Sequence, residues 1–289
     1  QSSQRAPLPD WRMVMPDDEQ LYTAAESLSR FGLVEPPMAG RLAQRDLLWR
    51  TLFEVVVERS PQVFLLHGGP GLGKSRMVMW FQQAVGVWGG GDVLVGCADG
   101  DRTITASLAH GLAVQLRCLG LRSHQVQSRL RKTFPEMAEV VLRSLARLIC
   151  DYFDEGETTA TAHRHPMEVL EAAFVQLANV RPLVVVLEHF SEDEVVKPSL
   201  ARLMSTNLPL LILLTSQEEN PSAIGIESSK NRSVRCALEP LCMTDQQEFI
   251  QRTLSLRMDL ALRLAHMTQG FPLFAYQMMA ELVERGALV

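Results

Sequence analysis

The sequence predicts an α/β fold in which a parallel sheet is covered by helices on both faces and followed by a helical subdomain. Three observations predict it. Short apolar runs, among them Val63-Phe64-Leu65-Leu66-His67 and Leu183-Val184-Val185-Val186-Leu187, lack polar alternation, as strands buried on both faces must. Helical patterns separate these runs, which is the order of βαβ crossovers. Beyond Thr244 the patterning is helical to the end.

In chain order, residues 1–16 are rich in Pro and polar side chains and read as a tail. Asp17-Asp18 can cap an amphipathic helix reaching about Arg30, because carboxylates favour a helix N-terminus. Glu35-Pro36-Pro37 imposes extended chain. Leu42 to Arg59 reads as a helix with Leu47, Leu48, Leu52, Val55 and Val56 on one side, and Pro61 ends it. Val63 to His67, bounded by Pro61 and Gly68, is the first strand. A helix from Lys74 to Val85 leaves the glycine-rich loop that follows, and Gly89-Gly90-Gly91 sets off a second strand, Asp92 to Ala98.

Helical patterns fill 104–150, broken near Gly120 and Pro135, and the acidic, small-residue stretch Asp151 to Thr161 reads as a loop. A helix from Met167 to Asn179 leads through Arg181-Pro182 into Leu183 to Leu187, the most strand-like segment of the chain. A helical stretch near 194–205, a strand from Leu208 to Leu214, a loop from Thr215 to Asn231 and a fifth strand from Ser233 to Leu238 complete the alternation. The expected division is a tail and helix (1–36), an α/β domain (37–238) and a helical subdomain (239–289).

Composition narrows the function. The chain has 289 residues, 47% of them hydrophobic, enough for a sizeable core. A net charge of −5 and no long basic run do not favour nonspecific nucleic-acid binding, which depends on neutralising phosphates. No stretch approaches the roughly 20 apolar residues of a membrane helix. The five cysteines are odd in number and scattered, with no C-x-x-C pair, which fits buried thiols in a reducing, cytoplasmic compartment. The start, Gln1-Ser2-Ser3-Gln4-Arg5, has neither an initiator Met nor an apolar signal core, so the chain reads either as processed or as a piece of a longer protein.

Gly68-Gly69-Pro70-Gly71-Leu72-Gly73-Lys74-Ser75 matches G-x-x-x-x-G-K-[ST] in full, with a strand before it and a helix after it. Glycines let the backbone curl so that successive N–H groups face a phosphate chain, and the helix adds its positive end. Lys74 is the residue to neutralise the β- and γ-phosphates, Ser75 offers a hydroxyl to Mg²⁺, and Arg76 joins the candidates on this side. The sequence therefore predicts a P-loop NTPase, a three-layer α/β/α parallel sheet, with a nucleotide and Mg²⁺ as cofactors.

Turnover needs a second acidic element at the end of a hydrophobic strand. Glu188, after Leu183 to Leu187, is the candidate metal-side and catalytic carboxylate, although Asp is usual there. His189 follows, where a second carboxylate is common in hydrolytic relatives of this motif. It is either a base near neutral pH or an ordinary polar residue at a strand end. Glu192, Asp193 and Glu194 could supply a base or cap a helix. Thr215-Ser216-Gln217 closes the fourth strand, and Gln217 there is either a γ-phosphate sensor or a turn residue.

With these motifs in order, the chain resembles the STAND class of P-loop NTPases, signal-transduction ATPases related to AAA+ proteins. The likeness is to the AAA-type module of large bacterial regulators and of soluble-type adenylyl cyclases, over about Pro37 to Val289. Met38-Ala39-Gly40-Arg41 looks like the family's opening motif near the adenine. Leu238-Glu239-Pro240-Leu241 and Thr244 to Gln247 look like the way into the helical lid. Gly270-Phe271-Pro272-Leu273 resembles the G-x-P motif whose proline, here Pro272, packs on the base. The resemblance implies a C-terminal helical lid, adenine rather than guanine and so ATP or ADP as the nucleotide, and Gly40, Arg41 and Pro272 as base-side contacts. Glu188, His189 and Gln217 depart from the family's usual Asp, acid and Arg, and all three departures fall on hydrolysis and γ-phosphate sensing. Three functions follow as expectations. One is a nucleotide-operated switch in a larger signalling protein, with protein partners or fused effector domains. Another is a scaffold braced by a permanent nucleotide. The third is an oligomeric AAA+-like ATPase.

Overall fold

The structure, a computed structural model, describes residues 9–14, 31–32, 35–97, 103–151, 165–190, 196–217, 219 and 233–287. Its elements in chain order are α1 (Trp11–Val14), α2 (Leu42–Glu58), β1 (Gln62–His67), α3 (Lys74–Trp88), β2 (Asp92–Cys97), α4 (Ile104–Gln115), α5 (Ser123–Thr133), α6 (Glu139–Asp151), α7 (Pro166–Val180), β3 (Leu183–Glu188), α8 (Lys197–Met204), β4 (Leu210–Ser216), β5 (Ser233–Ala237), α9 (Met243–Leu254), α10 (Met258–Thr268) and α11 (Pro272–Glu284).

The five strands form one parallel sheet in the order β2-β3-β4-β1-β5. Successive side chains along a strand point to opposite faces, and the sheet uses that period to feed two cores. Val63, Leu65, Leu183, Val185, Leu187, Leu210, Ile212 and Leu214 face one core, which α4 to α8 close. Phe64, Leu66, Val184, Val186, Leu211 and Leu213 face the other, beneath α2 and α3. All seven residues of β4 are buried, as its central position requires. The unbroken apolar runs of the sequence are thus two interleaved core faces. On the β2 edge, a Cβ at Gly96 would lie 2.7 Å from Leu108, so α4 sits directly on the strand backbone.

The C-terminal helices α9, α10 and α11 gather a third core around Phe249, Ile250, Leu254, Leu264 and Met279. Its polar centre is closed by a bond, Gln246 Nε2 donating to Thr268 Oγ1 at 2.8 Å. Cutting one of these buried Leu side chains to Ala costs about 2–5 kcal/mol in a well-packed core.

The structure corrects the sequence reading in two places. The N-terminal segment was expected to be a tail, yet Trp11 is buried against α3 and Trp49 Nε1 donates to the Pro9 carbonyl at 2.8 Å. Thr215 and Ser216 were expected in a loop but belong to β4, where Ser216 pairs with His67. The helix expected near 194–205 is described over Lys197–Met204. The helix expected from Asp17 to Arg30, the acids Glu192 to Glu194 and most of the Asp151–Thr161 stretch lie outside the described residues.

Candidate nucleotide site

The loop from Gly68 to Gly73 joins β1 to α3 at the carboxyl end of the central strands. Gly71 (φ 75°) and Gly73 (φ 93°) take left-handed backbone, which side-chain-bearing residues adopt only at a cost. Gly73 is also the N-cap of α3, so the unpaired amides of the helix's first turn open onto the loop. Lys74 folds back over it, with Nζ donating to the carbonyls of Gly68 at 2.6 Å and Gly69 at 2.8 Å. Burial lowers the Lys74 pKa, because an ammonium held out of water is disfavoured without an anion. The lysine is therefore stored inside the loop, within reach of any phosphate seated there.

Ser75 and Glu188 meet. The Ser75 hydroxyl lies near the Glu188 carboxylate, which stands half-buried at the end of β3. Burial raises the Glu188 pKa, while His189 and the Ser75 hydroxyl pull it down. A serine hydroxyl and a carboxylate side by side form a hard oxygen pair of the kind Mg²⁺ takes, together with water and phosphate oxygens. The two residues proposed from sequence for the metal thus fit that ion.

His189 lies beyond the strand in left-handed backbone (φ 54°). Its amide donates to Thr215 Oγ1 at 3.0 Å, and the Phe190 amide donates to the Thr215 carbonyl at 2.9 Å. These bonds pin the end of β3 to the end of β4. The exposed His189 ring has Nδ1 3.5 Å from Cys97 Sγ at the end of β2. Sequence reasoning did not anticipate Cys97, because only the register pairing Cys97 with Glu188 brings it here.

The remaining candidates divide. Gly40 and Arg41 both adopt left-handed backbone, and the buried Arg41 donates from Nη2 to the Leu72 carbonyl at 3.2 Å. Arg41 therefore braces the loop from below, with burial lowering its pKa and Asp245 opposing that shift. A Cβ on Gly40 would meet Asp245 Oδ2 at 2.1 Å, which places the C-terminal helices against this turn. Arg76 reaches away from the loop, donating from Nε to the Pro36 carbonyl at 2.7 Å with Glu35 3.8 Å from Nη1. Gln217 is exposed just past β4, the strand beside β1. Pro272 opens α11, and the next residue, Leu273, donates its amide to the Gly71 carbonyl at 3.3 Å. Gly270 fits between Pro240 and Leu241, where a Cβ would lie 2.4 Å from the Leu241 carbonyl oxygen. The two C-terminal motifs thus touch each other, and α11 touches the loop. Pro70 is exposed and Leu72 buried.

A phosphate loop leaving a parallel strand, with a serine in the first turn of the following helix near an acid at the end of the strand two places away in the sheet, is a P-loop ATPase arrangement. The sequence model of the AAA ATPase domain matches residues 37–224, well over half of the chain. The chain belongs to the AAA ATPase family. Among solved structures, this AAA ATPase resembles Drosophila ORC bound to DNA at 13% identity and TM-score 0.54, over 99% of this chain and 65% of that one. It resembles the Aeropyrum pernix ORC1 protein in complex with DNA at 14% identity and TM-score 0.54, over 96% of this chain and 64% of that one. A third likeness, to Cdc6p from Pyrobaculum aerophilum, has 11% identity and TM-score 0.50, over 98% of this chain and 67% of that one. At such identities the likeness is one of fold, and the AAA ATPase chain spans about two thirds of the length of these structures. No curated protein matches the sequence. Among the described residues, no helix is long and apolar enough to cross a membrane.

Proposed function

We propose that this AAA ATPase module binds ATP or ADP with Mg²⁺ and acts as a nucleotide-operated switch of the STAND type within a larger signalling or regulatory protein. The observation that carries the reading is the lysine already folded into the phosphate loop, with Nζ on the Gly68 and Gly69 carbonyls, next to the Ser75 hydroxyl and the Glu188 carboxylate. Bound Mg²⁺ would supply neutralisation of the phosphate charge. Ser75 and Glu188 would hold it, Lys74 would leave the Gly68 and Gly69 carbonyls for phosphate oxygens, and the loop amides would supply the remaining donors. Residues 37–238 would form the nucleotide-binding body, with 239–289 as its lid.

The switch reading rests on the contacts between loop and C-terminal helices. Leu273 on Gly71 and Asp245 against Gly40 join the helices to the phosphate loop and to the Gly40-Arg41 turn. A ligand shifts a two-state equilibrium only through different contacts in each state. A nucleotide lying between these surfaces would meet that condition. Hydrolysis is proposed to be slow, because an exposed His189 stands where a carboxylate base is usual. The test is mass identification of the nucleotide released from purified protein, repeated with Lys74→Ala, and steady-state phosphate release with and without Glu188→Gln. Adenine nucleotide lost in the lysine variant supports binding. Turnover that is fast in the wild type and abolished by Glu188→Gln would replace the slow switch with an active ATPase.

A further inference from the structure

The N-terminal segment touches the phosphate-loop helix at two places. At the first, Trp11 is 2% exposed and stacks edge-on to Trp80 of α3, with ring centroids 5.3 Å apart. The Arg45 guanidinium of α2 lies over both rings, 3.7 Å from the centroid of Trp11 and 4.7 Å from that of Trp80. Trp11 Nε1 donates to Asp46 Oδ1 at 2.7 Å, Arg12 Nη2 donates to Asp46 Oδ2 at 2.9 Å, and Trp49 Nε1 donates to the Pro9 carbonyl at 2.8 Å. At the second place, Arg76 of α3 grips the Pro36 carbonyl at 2.7 Å with Glu35 nearby.

Arg76 and Trp80 are four residues apart and therefore share one face of α3. That face belongs to the helix whose first turn carries Lys74 and Ser75. Residues 9–14 and Glu35-Pro36 thus touch one face of the helix that presents the phosphate donors. The chemistry at Trp11 is that of a docked recognition peptide. A large aromatic ring fills a pocket, its polar edge finds a carboxylate, and a cation is held between two π faces. The ion pairs of Arg12 are exposed and add little, so the buried indole holds the segment in place.

We propose that residues 9–14, with Glu35-Pro36, form a strap on α3, and that undocking Trp11 weakens nucleotide binding at the phosphate loop. The proposal rests on the nucleotide-binding reading above and adds a device to it. Anything that lifts the segment off Trp80 frees the outer face of α3 and loosens the turn that positions Lys74 and Ser75. Coupling between two sites in one domain typically amounts to about 5- to 150-fold in affinity.

The full chain, Trp11→Ala and Trp11→Phe are compared by hydrogen exchange of the α3 amides and by calorimetric titration with ATP and Mg²⁺. The expected result is faster exchange across α3 and affinity weakened about 5-fold or more in Trp11→Ala, with Trp11→Phe close to wild type. The four tryptophans of the sequence, Trp11, Trp49, Trp80 and Trp88, all lie in this cluster, so intrinsic fluorescence reports docking directly. If Trp11→Ala does not fold, Asp46→Ala removes the indole's acceptor at the surface and is read in the same way. Unchanged α3 exchange, or faster exchange with unchanged affinity, overturns the strap. Absence of nucleotide binding by the wild type overturns the functional reading instead, and the two failures are read on different measurements.

Discussion

The backbone amide of Leu273 donates to the carbonyl of Gly71 at 3.3 Å, joining the first turn of α11 to the middle of the phosphate loop. A Cβ on Gly71 would lie 3.1 Å from that of Leu273, and Gly71 sits at φ 75°. Gly71→Ala is therefore strained in two ways at once. Left-handed backbone costs a non-glycine residue about 1–2 kcal/mol, and the added methyl pushes on α11. The expected outcome is a lower melting temperature without ligand and weaker nucleotide binding. Exchange of the α11 amides, increased in the variant, locates the effect at this contact.

The Gly40–Asp245 contact gives a second, separable prediction. A methyl group at Gly40 would collide with the Asp245 carboxylate, 2.1 Å from Oδ2, and Gly40 also lies at φ 57°. Gly40→Ala should destabilise the protein by more than the roughly 1–2 kcal/mol of the backbone term alone. Adding Asp245→Ala should return the carboxylate's share of the clash and leave the backbone part together with the contact to the remaining Cβ, 2.8 Å away. Denaturant unfolding of the single and double variants measures the difference, and equal losses in both would show that Asp245 simply swings aside.

Much of this architecture was legible because of what buried parallel strands need. Leu183 to Leu187 carries apolar side chains at every position because alternate residues serve two cores. Glu188 followed from the end of that run, and Lys74 and Ser75 from the glycine-loop motif that opens the helix after β1. What escaped depends on contacts between positions far apart in sequence. Trp11 sits in a Pro-rich, polar stretch, and its burial is decided by Arg45 and Trp80. A tryptophan in such a stretch was the one available signal. Cys97 reaches His189 only through the β2–β3 register. Arg76, beside the motif and expected at the phosphates, turns instead to Pro36 because the extended chain there offers a carbonyl.

Lys74 tests the site itself. Its ammonium bonds two loop carbonyls while its pKa is lowered by burial, so its charge is tolerated rather than favoured until an anion arrives. Lys74→Ala should weaken nucleotide affinity by the worth of a charge-assisted hydrogen bond or two. That is about 1.5–3 kcal/mol, or roughly 10- to 100-fold. Calorimetric titration with ATP and Mg²⁺ measures the loss, and an affinity within twofold of wild type would place the polyphosphate elsewhere.

Cys236 supplies a pH dependence whose sign can be worked through. Burial beside β1 pushes its thiol up from an ordinary 9.0 to about 11, with the nearby Arg41 charge opposing that shift. An acid whose folded pKa is raised contributes stability that is present below the unfolded pKa. As pH rises past 9 the unfolded chain releases this proton while the folded chain keeps it, so unfolding is increasingly favoured up to about 11. Stability measured by denaturant titration should fall with pH across that window, and Cys236→Ala should flatten this part of the slope. The same burial predicts the order of thiol labelling. At pH 8 a maleimide should modify the exposed Cys242 while Cys236 stays protected until the protein unfolds. Rapid native-state labelling of Cys236 would mean that the strand pair β1–β5 opens on the timescale of the reaction, and that the Arg41 brace beside it opens too.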